Sequence, residues 1–241
     1  MVEFLIRKLE QFGTLSSGER RVLEALPIDL RQIEADQELV RDGQRLSHCM
    51  LLLSGVVCDY RTLQDGGRQI LNFHFPGDIL DLPSLLLGKL DYSIGSLTSV
   101  EVTPVAHVTL LDWTERHPRL GRLLWQDTLM DAAVFREWVV NIGRRSAYAR
   151  IAHLLCEMAA RLHAVGLMHG DTCDLPIAST ELADATSLSI VHVSRVLQQL
   201  RNKNLVELRG KALVMLDWEG LKQAASFDPA YLHLRAVPPA T

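Results

Sequence analysis

The sequence predicts an α+β chain: an N-terminal antiparallel β unit, one long central helix and a C-terminal winged helix-turn-helix. Three observations predict it. Short apolar runs alternate with glycine turns over residues 38–112, apolar residues recur every three or four positions from Pro118 to Arg144, and the stretch from Ser179 to Leu216 reads as helix, turn, helix and hairpin. A length of 241 residues accommodates two ordinary domains, and 48% hydrophobic with 22% charged residues is a globular composition, not a disordered one.

From the start, Leu5, Leu9, Phe12 and Leu15 have helical spacing, so Leu5 to Leu26 is expected to form a short helical cap. The runs Leu51-Leu52-Leu53, Val56-Val57-Cys58, Ile70-Leu71-Asn72-Phe73 and Val100-Glu101-Val102 follow, with Gly43, Gly55, Gly66-Gly67 and Gly77 between them. Short strands at this spacing make a barrel, roll or sandwich, and Asp65-Gly66 is a hairpin-type turn signal.

From Pro118 to Arg144 the positions Leu120, Leu123, Leu124, Met130, Ala133, Val134, Trp138, Val139 and Ile142 define one helix. At ~1.5 Å per residue it reaches about 40 Å, longer than a small domain needs for its own core. Part of its stripe is therefore expected to meet a symmetry mate, with Leu123, Met130, Val134 and Trp138 as dimer contacts. A helix packed wholly on its own β unit is the other reading, because the seam is not a strict heptad.

A second helix is expected from Ala147 to Leu162, ending near Gly166, followed by a turn-rich connection into a strand at Leu175 to Ile177. The resulting division is a β domain with its cap at 1–116, the long helix at 117–144, a winged helix-turn-helix at 145–225 and a C-terminal tail at 226–241.

The stretch with most chemical content comprises a helix from Thr180 to Thr186, a turn at Ser187-Leu188, a helix from Ser189 to Lys203, and strands Leu205 to Leu208 and Ala212 to Leu216 joined at Arg209-Gly210-Lys211. Ser189 suits an N-cap, leaving Ile190, Val191, His192, Ser194, Arg195 and Gln198 outward. The planar fork of Arg195 can donate two hydrogen bonds to guanine, whereas Ile190 and Val191 can touch thymine methyls. Thr180, Ser189 and helix N-terminal amides suit phosphate oxygens, and Arg209 and Lys211 at the wing tip suit the flanking backbone. The core side falls to Leu182, Ala183, Leu188, Val193, Val196, Leu197 and Leu200.

Net charge is −4, but residues 144–226 hold 10 Lys and Arg against 8 Asp and Glu, while residues 1–143 hold 14 against 20. The basic share thus sits with the helix-turn-helix. The N-terminus lacks the pattern of a signal peptide and no run approaches a membrane span, so a cytoplasmic protein with no membrane partner is expected. Cys49, Cys58, Cys156 and Cys173 are too scattered for a zinc or iron–sulfur motif and are read as buried thiols.

The runs Glu181-Leu182-Ala183-Asp184, Val193-Ser194-Arg195-Val196-Leu197-Gln198-Gln199-Leu200 and Leu205-Val206-Glu207-Leu208-Arg209-Gly210-Lys211 resemble the DNA-binding domain of the Crp/Fnr superfamily. Upstream, Leu39-Val40 with Gly43-Gln44, Gly55 and Phe75-Pro76-Gly77-Asp78 resemble that family's β-roll sensor domain. The resemblance covers about residues 20–218. It implies a cyclic-nucleotide-binding-like β-roll, a dimerisation helix and a homodimer on a dyad-symmetric operator in double-stranded DNA. It also implies contact with RNA polymerase if the protein activates transcription.

Departures from the family pattern restrict the expectation. The cyclic-AMP members' Gly-Glu-Leu turn and Arg-Ser or Arg-Thr pair correspond to Asp81-Leu82-Pro83 and Leu90-Asp91, which give a phosphate no arginine. Cyclic AMP is not expected, nor is any other cofactor, since the N-terminal cysteine cluster of the oxygen sensors is missing. Val191 stands where many members carry a cytosine-reading glutamate, and Ser187 where the turn often has glycine. His74 is the residue nearest to a haem or metal ligand in type, while Tyr60, Arg61 and Arg68 are expected at the surface and Asp78 and Asp81 in turns. The expected function is a sequence-specific DNA-binding transcription regulator whose sensor ligand is unknown or absent. The alternative is a small-ligand module acting through protein–protein contacts. An enzyme is not expected, because the chain has no P-loop, G-x-G-x-x-G, H-E-x-x-H or Ser-His-Asp framework.

Overall fold

The computed structural model describes residues 2–235. The expected single cap is two helices, α1 (Glu3–Phe12) and α2 (Ser17–Glu24). The break arises because Ser16 starts a helix of its own: its hydroxyl accepts from the Glu19 amide and the Glu19 carboxylate accepts from the Ser16 amide at 2.7 Å, a reciprocal cap.

Strands β1 (Arg31–Ile33), β2 (Glu38–Val40), β3 (His48–Ser54), β4 (Val57–Thr62) and β5 (Arg68–His74) follow. After the short helix α3 (Ser84–Leu87) come β6 (Ser93–Ser96) and β7 (Val100–Ala106). All pairings are antiparallel, in two sheets of order β1-β7-β3 and β2-β6-β4-β5. Val40, Leu52, Val57, Leu80, Leu90, Ile94 and Val102 fill the space between them. Gly77 holds φ at +101°, and a Cβ there would meet the Phe4 backbone at 2.7 Å, so glycine is what allows α1 to lie against this turn.

The β pattern stops earlier than residue 112. Residues His107–Arg116 form α4, whose buried Leu110 and Trp113 have helical rather than strand spacing. Then α5 spans Pro118–Arg144, the range the periodicity predicts, with Pro118 in its first turn.

The expected dimer contacts on α5 are corrected. Leu123, Met130, Val134 and Trp138 are 6%, 2%, 1% and 4% exposed within one chain. Leu123 packs in the core shared with α1 and β3, while Val134 and Trp138 join the core shared with β5 and the helix that follows. The physical reason is that α5 is a spine: its main apolar stripe is consumed by the two units on either side of it. A second stripe remains outward. Trp125, Leu129 and Val139 are 60%, 57% and 72% exposed, and with Arg122, Ala132 and Arg136 they repeat at alternating spacings of three and four.

The C-terminal part comprises α6 (Ala147–Ala164), β8 (Met168–His169), β9 (Thr172–Asp174), α7 (Ser179–Thr186), α8 (Ile190–Asn202), β10 (Val206–Arg209), β11 (Ala212–Met215) and α9 (Trp218–Ala225). The sheet order is β10-β11-β9-β8. The strand expected at Leu175 to Ile177 is displaced to β9. The Leu175 amide still bonds the Lys211 carbonyl at 2.8 Å, but Pro176 has no N–H with which to continue the ladder.

The start of the expected tail is packed. Phe227 and Leu232 are buried, a 3-10 turn spans Pro229–Leu232, and the Tyr231 hydroxyl donates to Glu157 at 2.6 Å. Residues 236–241 of that tail lie outside the described residues. Among the described residues, no helix is long and apolar enough to cross a membrane.

Candidate nucleic-acid interface

The reading head is defined locally. Helix α7 ends at Ser187, whose φ of +52° places it in the left-handed region that the family's glycine would occupy without strain. Ser189 then caps α8, its hydroxyl accepting from the His192 amide at 3.3 Å. Val193, Val196 and Leu200 turn inward against α6 and α7. That fixes the opposite face outward: Ile190, Val191, Ser194, Arg195 and Gln198 share it, and all are exposed, as are Ser189 and His192.

The side chains differ in availability. Arg195 and Ser194 have no side-chain partner among the described residues, whereas Gln198 donates to Asn202 at 2.7 Å. Thr180 is exposed on α7 and gives its hydroxyl proton to Glu181 at 2.9 Å. At the wing, Gly210 takes φ +64° and Arg209 donates from two nitrogens to one oxygen of Glu207, at 2.9 and 2.7 Å. Arg209's hydrogen bonds hold the Glu207 carboxyl below the usual range, so much of this cation is already matched. Lys211 has no acidic partner among the described residues and is the wing's unmatched charge.

Between α1, the β unit, α5 and α6 lies a buried ionic cluster that the sequence did not reveal. Lys8 Nζ from α1 sits 2.6 Å from Asp78 and 2.7 Å from Asp127 on α5. Arg161 from α6 donates to Asn72 at 2.9 Å and approaches Asp78 at 3.4 Å. His74 is not placed as a ligand: its ring nitrogens face Asp59 at 2.9 Å and Asp78 at 3.2 Å. Burial opposes charging this imidazole, but the two carboxylates outweigh it and raise its pKa to about 10. Burial, with Asp127 one turn away, pushes Asp131 up to about 6. Glu157 accepts from Trp138 at 3.0 Å as well as from Tyr231. Asp78 and Asp81 lie in turns as expected, the Asp78 amide bonding the Phe75 carbonyl and the Asp81 carbonyl accepting from the Ser84 amide, yet both are buried, and the Asp81 carboxylate accepts from the Met50 amide at 2.8 Å.

Arg68, expected at the surface, reaches from β5 to Asp184 on α7 at 2.7 Å, while Gln69 accepts from Ser187 at 2.8 Å. The β4–β5 hairpin therefore holds the first helix of the reading head. Lys8 and Arg161 did leave a sequence signal, each being a base within an apolar helical face, but nothing in the spacing indicates their partners. All four cysteines are buried, and burial lifts the Cys58 and Cys173 thiols to about 12.

Comparison with known proteins agrees with this geometry. Residues 149–224 match the Crp-like helix-turn-helix domain and residues 30–117 the cyclic nucleotide-binding domain. The chain is 31% identical to the nitrogen fixation regulation protein FixK of Bradyrhizobium diazoefficiens over 166 residues, which is 69% of each chain. It is 26% identical to the transcriptional activator protein FnrL of Cereibacter sphaeroides over 202 residues, 82% of this chain and 81% of that one. The structure of FixK2 from Bradyrhizobium japonicum superimposes with a TM-score of 0.74 at 23% identity, covering 84% of this chain and all of that one.

Proposed function

Since the chain belongs to the Crp/Fnr family of transcription regulators, we propose that it acts as a homodimer that reads a dyad-symmetric operator with two copies of α8. That it is a DNA-binding regulator and not an enzyme follows from the family. The dimer would close through the outward stripe of α5, where Trp125, Leu129 and Val139 are otherwise left in water. Two-fold symmetry then sets half-sites one helical turn apart, about 34–36 Å.

The observation that carries the base-reading role is the unpaired Arg195 guanidinium on the exposed face of a helix whose start is fixed by Ser189. A bidentate contact to guanine is worth roughly 1–3 kcal/mol of discrimination. Lys211 would hold a phosphate, and Arg209 could join only by releasing Glu207.

Cyclic AMP does not suit the sensor domain. Asp81-Leu82-Pro83 stands where the resemblance implies the family's Gly-Glu-Leu turn, Asp81 is committed to the Met50 amide, and Leu80, Leu90 and Ile94 pack the interior. Burial raises the Tyr92 hydroxyl pKa, with Asp59, Asp131 and Asp81 adding to it. FnrL is named a transcriptional activator, and activation here would involve contact with RNA polymerase in the cytoplasm.

Selection of bound sites from random DNA tests the reading, and a two-fold symmetric motif is the expected result. On that operator, Arg195→Ala should cost about 1–3 kcal/mol and relax one position, whereas Lys211→Ala should weaken all sequences and flatten the salt dependence by about one unit of slope. Equal losses on operator and random DNA for Arg195→Ala would remove its assigned role.

A further inference from the structure

The last carbonyls of a helix have no intrahelical donor and carry the negative end of its dipole. At the junction between α5 and the reading head, three such carbonyls converge on one side chain. Arg150, in the first turns of α6, donates from one terminal nitrogen to the Ile142 carbonyl at 2.7 Å and the Arg145 carbonyl at 3.2 Å, both at the end of α5. Its other terminal nitrogen donates to the Thr186 carbonyl at 2.7 Å, at the end of α7. Asn141 of α5 returns a bond to the Arg150 carbonyl at 3.2 Å.

We propose that Arg150 is the positioning residue that sets the angle between α5 and the reading head, and thereby the separation at which a dimer presents its two recognition helices. The inference rests on the dimer reading above. Thr186 is followed at once by the left-handed Ser187 and the cap Ser189, so the place where α7 ends determines where α8 begins. Among the described residues Arg150 has no carboxylate partner; it bonds only backbone carbonyls, and a planar fork with two diverging nitrogens is what lets one residue bind two helix ends. A lysine has a single nitrogen and cannot span both. Arg150 is only half-buried and lies off the exposed face of α8, so it acts through the helices it joins rather than on DNA.

The test is gel-shift titration of the full chain on operators whose half-sites are separated by the selected spacing or by one or two base pairs more or less. A single half-site serves as reference, with Arg150→Lys and Arg150→Met compared with the unchanged protein. Thermal unfolding identifies the variants that remain folded, and Arg150→Lys, which keeps the charge and one bond, covers the case in which Arg150→Met does not fold.

Loss of a charge-assisted clamp should reduce the preference for the selected spacing by about tenfold in Arg150→Met and less in Arg150→Lys, leaving half-site affinity within about twofold. A folded variant that keeps the full spacing preference, or that loses affinity equally on half-site and full operator, overturns the role of Arg150 while leaving the dimer reading intact. An unchanged protein with no spacing preference at all would overturn the dimer reading and this inference with it.

Discussion

Replacing Leu129 by alanine separates the two faces of α5. Leu129 is 57% exposed in one chain, so a partner can still remove somewhat over half of its side chain from water. Full burial of a leucine is worth roughly 1.5–3 kcal/mol, which gives about 1–1.5 kcal/mol for the remaining fraction and about 2–3 kcal/mol for the symmetric pair. The dimer dissociation constant should therefore rise roughly 30- to 150-fold, with little change in the stability of each subunit. Sedimentation equilibrium over a concentration series reads this directly. Met130→Ala is the contrast: Met130 is 2% exposed inside its own chain, so it should lower thermal stability by about 2–5 kcal/mol without a selective effect on association. An unchanged dimer constant for Leu129→Ala, or a folded Met130→Ala that dissociates more readily than Leu129→Ala, would refute the assignment of the outward stripe as the seam.

Two further outcomes concern the buried cluster. Lys8→Met leaves Asp78 and Asp127 without the cation 2.6 and 2.7 Å away, and should cost about 3–5 kcal/mol in chemical denaturation; a loss below about 1 kcal/mol would show that the carboxylates find other compensation. His74, raised to about 10 from an ordinary 6.5, stays protonated in the folded chain while the unfolded chain releases its proton. Its stabilising contribution is complete below pH 6.5 and declines as pH rises toward 10. Stability measured from pH 7 to 8.5 should therefore fall by up to about 1.4 kcal/mol per pH unit, and a flat or rising profile would mean that the imidazole is neutral.

The reading head was legible because its information is local. Ser189 before an apolar-periodic run, Val193, Val196 and Leu200 at helical spacing, and Arg209-Gly210-Lys211 between two short strands each act within a few residues. The same holds for α5, whose bounds at Pro118 and Arg144 follow from periodicity and an N-terminal proline. Residues 107–112 are helical and not strand because, although their apolar positions continue directly from a strand, the packing of Leu110 and Trp113 fixes the period.

By itself, then, the chain's order of residues determined most of its element types, its reading helix and the family whose pattern it follows. Which face of α5 is internal was decided by tertiary structure. The helix has two apolar stripes, one holding Met130 and Trp138 and the other Leu129 and Val139, and periodicity assigns both the same character until neighbouring units cover one of them. The partners of Lys8, His74, Arg68 and Arg150 were likewise decided there. A buried charge is satisfied by whatever lies across the core, and those groups come from elements far away in sequence, which no local spacing records.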